Sequence, residues 1–302
     1  MRILIVAATA MSLWSFDAYS RVWFVRTDGT GDAPTIQAAI DSTQAGDTIL
    51  VGSGTHEVED WLFCSGKDDL TIQGEEPAGS ATITGITDLS RFEVEMSSNI
   101  TIERLLFSNC ILGLYWSGPA KIEYNCFRDQ SPIIVECGGP VEICNNLIYS
   151  SGSGISCGDY AMEITIHHNV IAFNLYGPAI SLDAGSYWIS NNIIVNNRQG
   201  IRSISTTVHL DCNNVWGNEE FNYSLLFFPD PTGTNGNISL DPQFCGVSPD
   251  ISGNFYLQSD SPCAPGNHPD GFDCGLIGRY PVGCETVSTE RTSWGEIKAM
   301  FK

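Results

Sequence analysis

The sequence predicts an all-β solenoid in which short strands stack on one another in successive turns. One eight-residue phrase recurs six times, and successive copies are offset by 20, 21, 23, 23 and 21 residues, a period typical of solenoids. Apolar and polar residues alternate inside each phrase, which is the period of a strand. Asparagine stands at the sixth position of the last five copies. These three observations predict a parallel β-helix.

Each copy of the phrase is interpreted as one β-rung. The third position is always Ile or Leu and the eighth is always apolar, so both are expected to face a core shared by stacked rungs. A run of ordinary hairpins would instead need two-residue turns such as Asn-Gly, and none lies between the copies. The copies are ITIERLLF at 100–107, AKIEYNCF at 120–127, VEICNNLI at 141–148, ITIHHNVI at 164–171, YWISNNII at 187–194 and VHLDCNNV at 208–215.

Two columns of asparagine are predicted to form ladders along the stack. Asparagine tolerates a left-handed backbone at a corner, and its amide can hydrogen-bond its counterparts one rung above and below. The first column is Asn125, Asn146, Asn169, Asn192 and Asn213. The second is Asn174, Asn197 and Asn218, and the next corner is marked by Gly154, Gly177 and Gly200.

The chain begins with a segment that is typical of secretion and continues into a predicted cap. Residues 1–20 combine Arg2, an apolar run too short to span a bilayer and small residues near Ser20, as a signal peptide does. After it, VWFV is predicted to form a strand and PTIQAAIDS a short helix that begins near Pro34. A helix at the mouth of the stack would cover an open sheet edge.

The run from Asp28 to Gly54 resembles the N-terminal segment of the pectin-lyase-like superfamily of right-handed β-helices, and the asparagine-bearing phrases resemble its generic repeat. The resemblance spans roughly 21–225. It implies a right-handed parallel β-helix with a short N-terminal capping helix. It does not specify chemistry, because the superfamily contains pectate lyases, polygalacturonases, pectin methylesterases, adhesins and proteins without an assigned activity.

Three segments resemble the closing segment of secreted bacterial β-helix proteins: NISLDPQF at 237–244, NFYLQSDSPC at 254–263 and CGLIGRYPVGC at 274–284. The resemblance implies a cap at the far end, formed by residues 226–284. The eleven cysteines indicate an oxidising compartment. We expect Cys245 to pair with Cys263 and Cys274 with Cys284, although spacing does not fix connectivity. Residues 285–302 are either a sorting or attachment tail or a frayed end; in them Trp294, Ile297 and Phe301 have helical spacing.

A net charge of −21 makes the chain a poor candidate for binding nucleic acid. It suits a secreted or cell-surface protein that stays soluble and monomeric. Beyond the first 20 residues no stretch is long and apolar enough for a membrane helix. The sequence therefore predicts a polysaccharide or a cell-surface component as the partner.

Residues on either side of the inward third position are predicted to form one outward face. It contains acids and bases suited to proton transfer and an aromatic ring suited to a sugar. The outward pairs are Thr101 with Glu103, Lys121 with Glu123, Glu142 with Cys144, Thr165 with His167, Trp188 with Ser190, and His209 with Asp211. The candidate catalytic residues are Glu103, Glu123, His167, His209 and Asp211, and the candidate ligand-binding residues are Lys121 and Trp188.

The chemistry of this face stays open at the level of sequence. Glu103 and Glu123 would lie about 5 Å apart, near the spacing of a retaining glycosidase, but a solvated face explains them as well. No metal set is recognised, because no CxxC pair is present and His167 lacks evident partner ligands. Calcium at Asp270 and Asp273 is possible, although a plain turn explains them.

Three functions are compatible with the sequence. The signature motifs of polygalacturonases and methylesterases are absent, which favours a non-catalytic protein that binds glycan or another surface component. A polysaccharide lyase or glycoside hydrolase acting on the outward face is the alternative. A purely structural surface module is the third.

Overall fold

The computed structural model describes residues 20–246 and 254–284. Residues 22–225 form a right-handed parallel β-helix. The first sheet contains, in spatial order, strands Val22–Val25, Thr48–Val51, Thr71–Gly74, Ile100–Glu103, Ala120–Glu123, Pro140–Cys144, Glu163–His167, Ser186–Ser190 and Thr207–Asp211. The second contains Gly54–Val58, Ala81–Gly85, Leu105–Ser108, Cys126–Arg128, Leu147–Tyr149, Val170–Ala172, Ile193–Val195 and Asn214–Trp216. The third contains Trp61–Ser65, Arg91–Glu95, Ile111–Tyr115, Ile133–Glu136, Ile155–Cys157, Pro178–Leu182, Gln199–Ser203 and Phe221–Leu225.

The repeated phrase forms the corner between the first and second sheets. Its first four residues belong to the first sheet and its last two to the second, while the third sheet comes from the residues between copies. Each copy therefore marks one turn but does not span it. The left-handed residue of this corner is the fifth of the phrase, as in Tyr124, His168 and Asn191, each with φ 55°. The prediction that the ladder asparagine itself is left-handed is wrong.

The asparagine ladder is confirmed and satisfies the backbone at this corner. Asn169 Oδ1 accepts hydrogen bonds from the Asn146 backbone N–H (2.9 Å) and from Asn146 Nδ2 (3.1 Å). Asn169 Nδ2 donates to the Ile143 carbonyl (2.9 Å) and to Asn192 Oδ1 (3.0 Å). The same pattern runs through all five predicted residues and continues to Asn237 beyond the last rung.

The second ladder is also present, and the glycines at the next corner have a steric role. Asn174 Nδ2 donates to Asn197 Oδ1 at 3.0 Å, and the column ends at Asn222. At Gly154 an added Cβ would lie 2.2 Å from the Ala179 carbonyl oxygen of the next rung. The glycine is needed there because the neighbouring backbone approaches too closely for a side chain.

Both apolar columns of the phrase are buried, as predicted. The third-position side chains, from Ile102 to Leu210, are at most 7 % exposed, and the eighth-position side chains are fully buried. Phe107 and Phe127 stack across neighbouring rungs with ring centroids 4.8 Å apart and an interplanar angle of 5°. One continuous apolar core therefore runs along the inside of the helix.

The predicted capping helix covers the N-terminal end of the stack. It spans Ile36–Ser42, and Thr35 caps it by accepting a hydrogen bond from the Ala38 backbone N–H at 3.1 Å. Ile36 and Ile40 are buried against the first turns of the solenoid. The helix thus closes the core where no further rung can cover it.

The segment after the last rung reaches the end of the stack at Asn237, but its apolar side chains pack mainly on the outside of the second sheet. Phe255 and Leu257 belong to a second buried cluster with Val170 and Ile193. Phe255 and Leu257 lie on the middle strand of a small sheet formed by Phe244–Gly246, Asn254–Gln258 and Val282–Cys284. Farther along the same segment, Arg279 donates a hydrogen bond to the Asn125 carbonyl at 2.7 Å. The segment therefore runs back along several rungs.

The predicted disulfides are wrong. The bonds join Cys212 to Cys274 and Cys245 to Cys284, while Cys263 is buried as a free thiol. The chain folds back along the second sheet and brings Cys274 beside the last rung, a contact that spacing cannot reveal. Asp270 lies in a turn in which the Gly271 N–H donates to the His268 carbonyl at 3.0 Å.

The expected signal peptide and the C-terminal tail lie outside the described residues. Among the residues that the structure does describe, no helix has the length and apolar character needed to cross a membrane.

We expect Asn169→Leu to lower the free energy of unfolding by about 1 to 3 kcal/mol, because it leaves buried amide and carbonyl groups of two rungs unpaired. Urea denaturation measures this change. Asn254→Leu is the control, because Asn254 is exposed and lies outside both ladders. Equal stability of Asn169→Leu and the wild type would contradict the role of the ladder.

Candidate functional site

The outward face of the first sheet, called the outer face below, has the register that the sequence predicts. Lys121 is the strand partner of Thr101 and of Glu142, and Glu123 is the partner of Glu103 and of Cys144. The pairing continues through the strands that contain His167, Trp188 and His209. Two side-chain columns therefore run along the solenoid axis, with neighbouring strands about 4.8 Å apart.

The centre of the outer face is a cluster formed by Lys121, Glu123, Glu142, Cys144 and His167, called the central cluster. The Lys121 ammonium lies 3.2 Å from Glu123 Oε2 and 3.7 Å from Glu142 Oε2. The His167 Nε2 atom is 2.9 Å from Glu142 Oε1, and the Cys144 thiol is 3.8 Å from Glu123 Oε2. Every member thus contacts another member on its own or a neighbouring strand.

The environment changes the acidity of three members. Partial burial disfavours the charged form of Lys121, but the Glu123 carboxylate outweighs it and raises the pKa of Lys121. Partial burial opposes ionisation of Glu142, but the hydrogen bond with His167 and the charge of Lys121 outweigh it and lower the pKa of Glu142. Burial raises the pKa of the Cys144 thiol to about 12, and the neighbouring carboxylates Glu142 and Glu123 add to this effect. The thiol is therefore protonated at neutral pH and unsuited to nucleophilic attack.

His167 is held from both sides of its ring. Its Nδ1 atom lies 2.9 Å from Nδ1 of His168, and its Nε2 atom contacts Glu142. Burial lowers the pKa of His168, and the adjacent His167 lowers it further, so His168 is neutral at pH 7. One of the two Nδ1 atoms donates a hydrogen bond to the other, and this contact fixes the orientation of the His167 ring.

A shallow groove of about 380 Å³ runs beside the central cluster and crosses the strands. Its lining combines successive outward residues of one column with the buried residues that precede them on the same strands and with two prolines. The residues that line it are Asn99, Ile100, Thr101, Pro119, Ala120, Lys121, Pro140, Val141, Glu142, Glu163 and Thr165. Trp188 is the strand partner of Thr165 and continues this column. The column of outward residues that lines the groove therefore continues to an aromatic side chain on the next strand.

Trp188 and His209 form an exposed aromatic platform. Their rings stack with centroids 5.6 Å apart and an interplanar angle of 14°, and Trp188 is 40 % exposed. His209 is thereby placed beside the Trp188 ring and outside the central cluster. A flat, partly exposed ring pair offers an apolar surface to a ligand ring.

The structure divides the predicted site residues into separate groups. Glu103 pairs with Arg104 at 2.9 Å, whereas Glu123 pairs with Lys121. Asp211 is five strand steps from Glu103, about 24 Å away at the usual strand spacing, so these two carboxylates cannot act on one bond. Glu142 and Cys144 were placed on this face by the sequence pattern, but nothing in the pattern indicated that Glu142 contacts His167 or that Cys144 contacts Glu123.

Comparison with known proteins establishes the family. A family model described as "Right handed beta helix region" matches residues 49–215, which is more than half of the chain, and the chain belongs to this family. The resemblance to pectin-lyase-like β-helices is confirmed at the level of the fold. No curated protein matches the sequence.

Three solved structures are similar to this chain at low sequence identity. The pectate lyase Pel9A is 12 % identical, with 87 % of this chain and 97 % of that chain covered and a TM-score of 0.42. The alginate lyase AlyF-OU02 in complex with G6 is 14 % identical, with 67 % and 60 % covered and a TM-score of 0.32. A pectin methylesterase from Aspergillus niger is 18 % identical, with 74 % and 91 % covered and a TM-score of 0.27.

We expect Lys121→Met to raise the pKa of Glu142, because the ammonium helps to hold it below its ordinary value of 4.5. NMR titration of the Glu142 carboxyl carbon measures this. A lowered folded-state pKa contributes stability above the unfolded-state pKa, and this stability is lost as pH falls through the folded-state value. Lys121→Met should therefore lose less stability on acidification. Lys67→Met, remote from the cluster, is the control, and an unchanged Glu142 titration in Lys121→Met would contradict the contact.

Proposed function

We propose that this protein binds a polysaccharide along the outer face without cleaving it. The observation that supports the proposal is the groove across Thr101, Lys121 and Thr165, together with the exposed Trp188, which is the strand partner of Thr165 on the next rung. Polar side chains at successive strands supply hydrogen bonds to hydroxyl groups, and the aromatic ring supplies a stacking surface for a sugar. The net charge of −21 favours a neutral glycan over an acidic one.

The charged side chains of the outer face support binding over catalysis. A general acid and a general base must each be free to exchange a proton with the substrate. Glu103 and Glu123 are instead held by Arg104 and Lys121, and Glu142 is held by Lys121 and His167. These three carboxylates are therefore engaged in ion pairs, which makes them less available to exchange a proton with a substrate.

The proposed role belongs to a secreted or cell-surface protein that acts as a monomer. Two disulfides and the strongly acidic composition suit an extracellular setting. A signal peptide in residues 1–20 and an attachment tail in residues 285–302 would fit the same setting.

We expect Trp188→Ala to weaken polysaccharide binding by roughly 2- to 10-fold, because an aromatic contact contributes about 0.5 to 1.5 kcal/mol. Affinity electrophoresis against neutral and acidic polysaccharides, with and without calcium, measures retention. Trp61→Ala is the matched control, since Trp61 is also exposed but lies in the third sheet. Equal retention of Trp188→Ala and Trp61→Ala would rule out the outer face as the binding surface. Absence of retention of the wild type would favour a structural surface module.

The alternative, a polysaccharide lyase or glycoside hydrolase, rests on the proximity of Glu123, Glu142 and His167. It predicts new reducing ends, and for a lyase also the ultraviolet absorbance of unsaturated products, when the protein is incubated with the same panel. In that case Glu123→Gln and His167→Ala should each abolish activity and leave thermal unfolding unchanged. Activity that survives both substitutions would place catalysis elsewhere, and the absence of cleavage supports the binding role.

A further inference from the structure

Three side chains whose chemical groups can serve as metal ligands lie close together in the central cluster. Glu142 and Cys144 lie two residues apart on one strand and so face the same side, and His167 is the strand partner of Cys144 on the next rung. A carboxylate oxygen, the thiol sulfur and an imidazole nitrogen lie within 4.8 Å of one another. We propose that these three residues bind a divalent transition-metal ion of the zinc class.

The donor set selects this class of ion. Zinc binds cysteine sulfur, histidine nitrogen and carboxylate oxygen, whereas calcium and magnesium bind oxygen ligands. Three protein ligands leave a fourth tetrahedral position for water or another ligand. Binding releases the Cys144 thiol proton to solvent, since sulfur binds the ion as a thiolate.

The surroundings of His167 support its role as a ligand. Its Nδ1 atom contacts Nδ1 of His168 at 2.9 Å, and such a partner on the second ring nitrogen orients a metal-binding histidine. The Nε2 atom then points toward Glu142, where the ion would lie. His168 is itself fixed in a left-handed corner of the phrase, with φ 55°.

Lys121 occupies the position of a competing cation. Its ammonium neutralises Glu123 and Glu142, and an ion bound to Glu142 must displace it from that carboxylate. The Lys121 side chain is 38 % exposed, so it can move toward solvent while it keeps the contact with Glu123. Removal of the Lys121 charge should therefore strengthen metal binding at the proposed site. A metal ion held by a single surface histidine would not show this effect.

The test uses the full-length, untagged protein and does not depend on glycan binding. Titration with zinc chloride in a calorimeter should give one ion per chain, and calcium chloride should not compete. Cobalt(II) should give a thiolate-to-metal charge-transfer band in the near ultraviolet. Glu142→Gln, Cys144→Ser and His167→Ala should each weaken zinc binding by roughly 100-fold, and Lys121→Met should strengthen it by about fivefold.

Two controls separate this site from the other thiols and histidines. Cys126→Ser removes a free thiol outside the cluster, and His209→Ala removes an exposed histidine of the same face; both should bind zinc like the wild type. The proposal is overturned if the cobalt band survives in Cys144→Ser, if zinc affinity is unchanged in His167→Ala, or if the wild type binds no zinc. If Cys144→Ser does not fold, the zinc affinities of Glu142→Gln and Lys121→Met test the proposal. Weaker binding in the first and stronger binding in the second support the site, and unchanged affinity in both overturns it.

Discussion

The asparagine ladder is the interaction on which the rest of the structure depends. At the corner between the first and second sheets the backbone turns through a left-handed residue, and its polar groups leave the regular strand pairing. The buried amide of Asn146, Asn169 or Asn192 supplies the missing partners and joins three rungs at once. Because an unpaired buried amide is costly, each rung can stack in only one register.

The composition of the outer face follows from that register. Loops between copies absorb the variation in repeat length, so Lys121, Glu142 and Thr165 align although their spacing along the chain differs. Side chains from adjacent rungs thereby come within hydrogen-bond distance. The proposed glycan groove and the proposed metal site are both products of this alignment, one along the first column and the other between the two columns.

The C-terminal segment packs on the regular row of outward apolar side chains of the second sheet. The outward apolar residues of the second sheet, such as Val170 and Ile193, would be exposed in an isolated stack, and the segment buries them with Phe255 and Leu257. The Cys212–Cys274 bond ties the segment to the last rung. One flank of the solenoid is thus covered while the outer face of the first sheet stays open to ligands.

The sequence by itself determined the fold class, the core columns, both asparagine ladders and the strands that carry the outer face, because each depends on a period of two within a strand and of 20 to 23 residues along the chain. Tertiary structure alone decided the disulfides, the position of the C-terminal segment, and the contacts of Cys144 with Glu123 and of His167 with Glu142. The side-chain contacts depend on rotamers, and the disulfides and the C-terminal segment depend on a chain that folds back over several rungs. Neither property produces a repeat that can be recognised in the sequence.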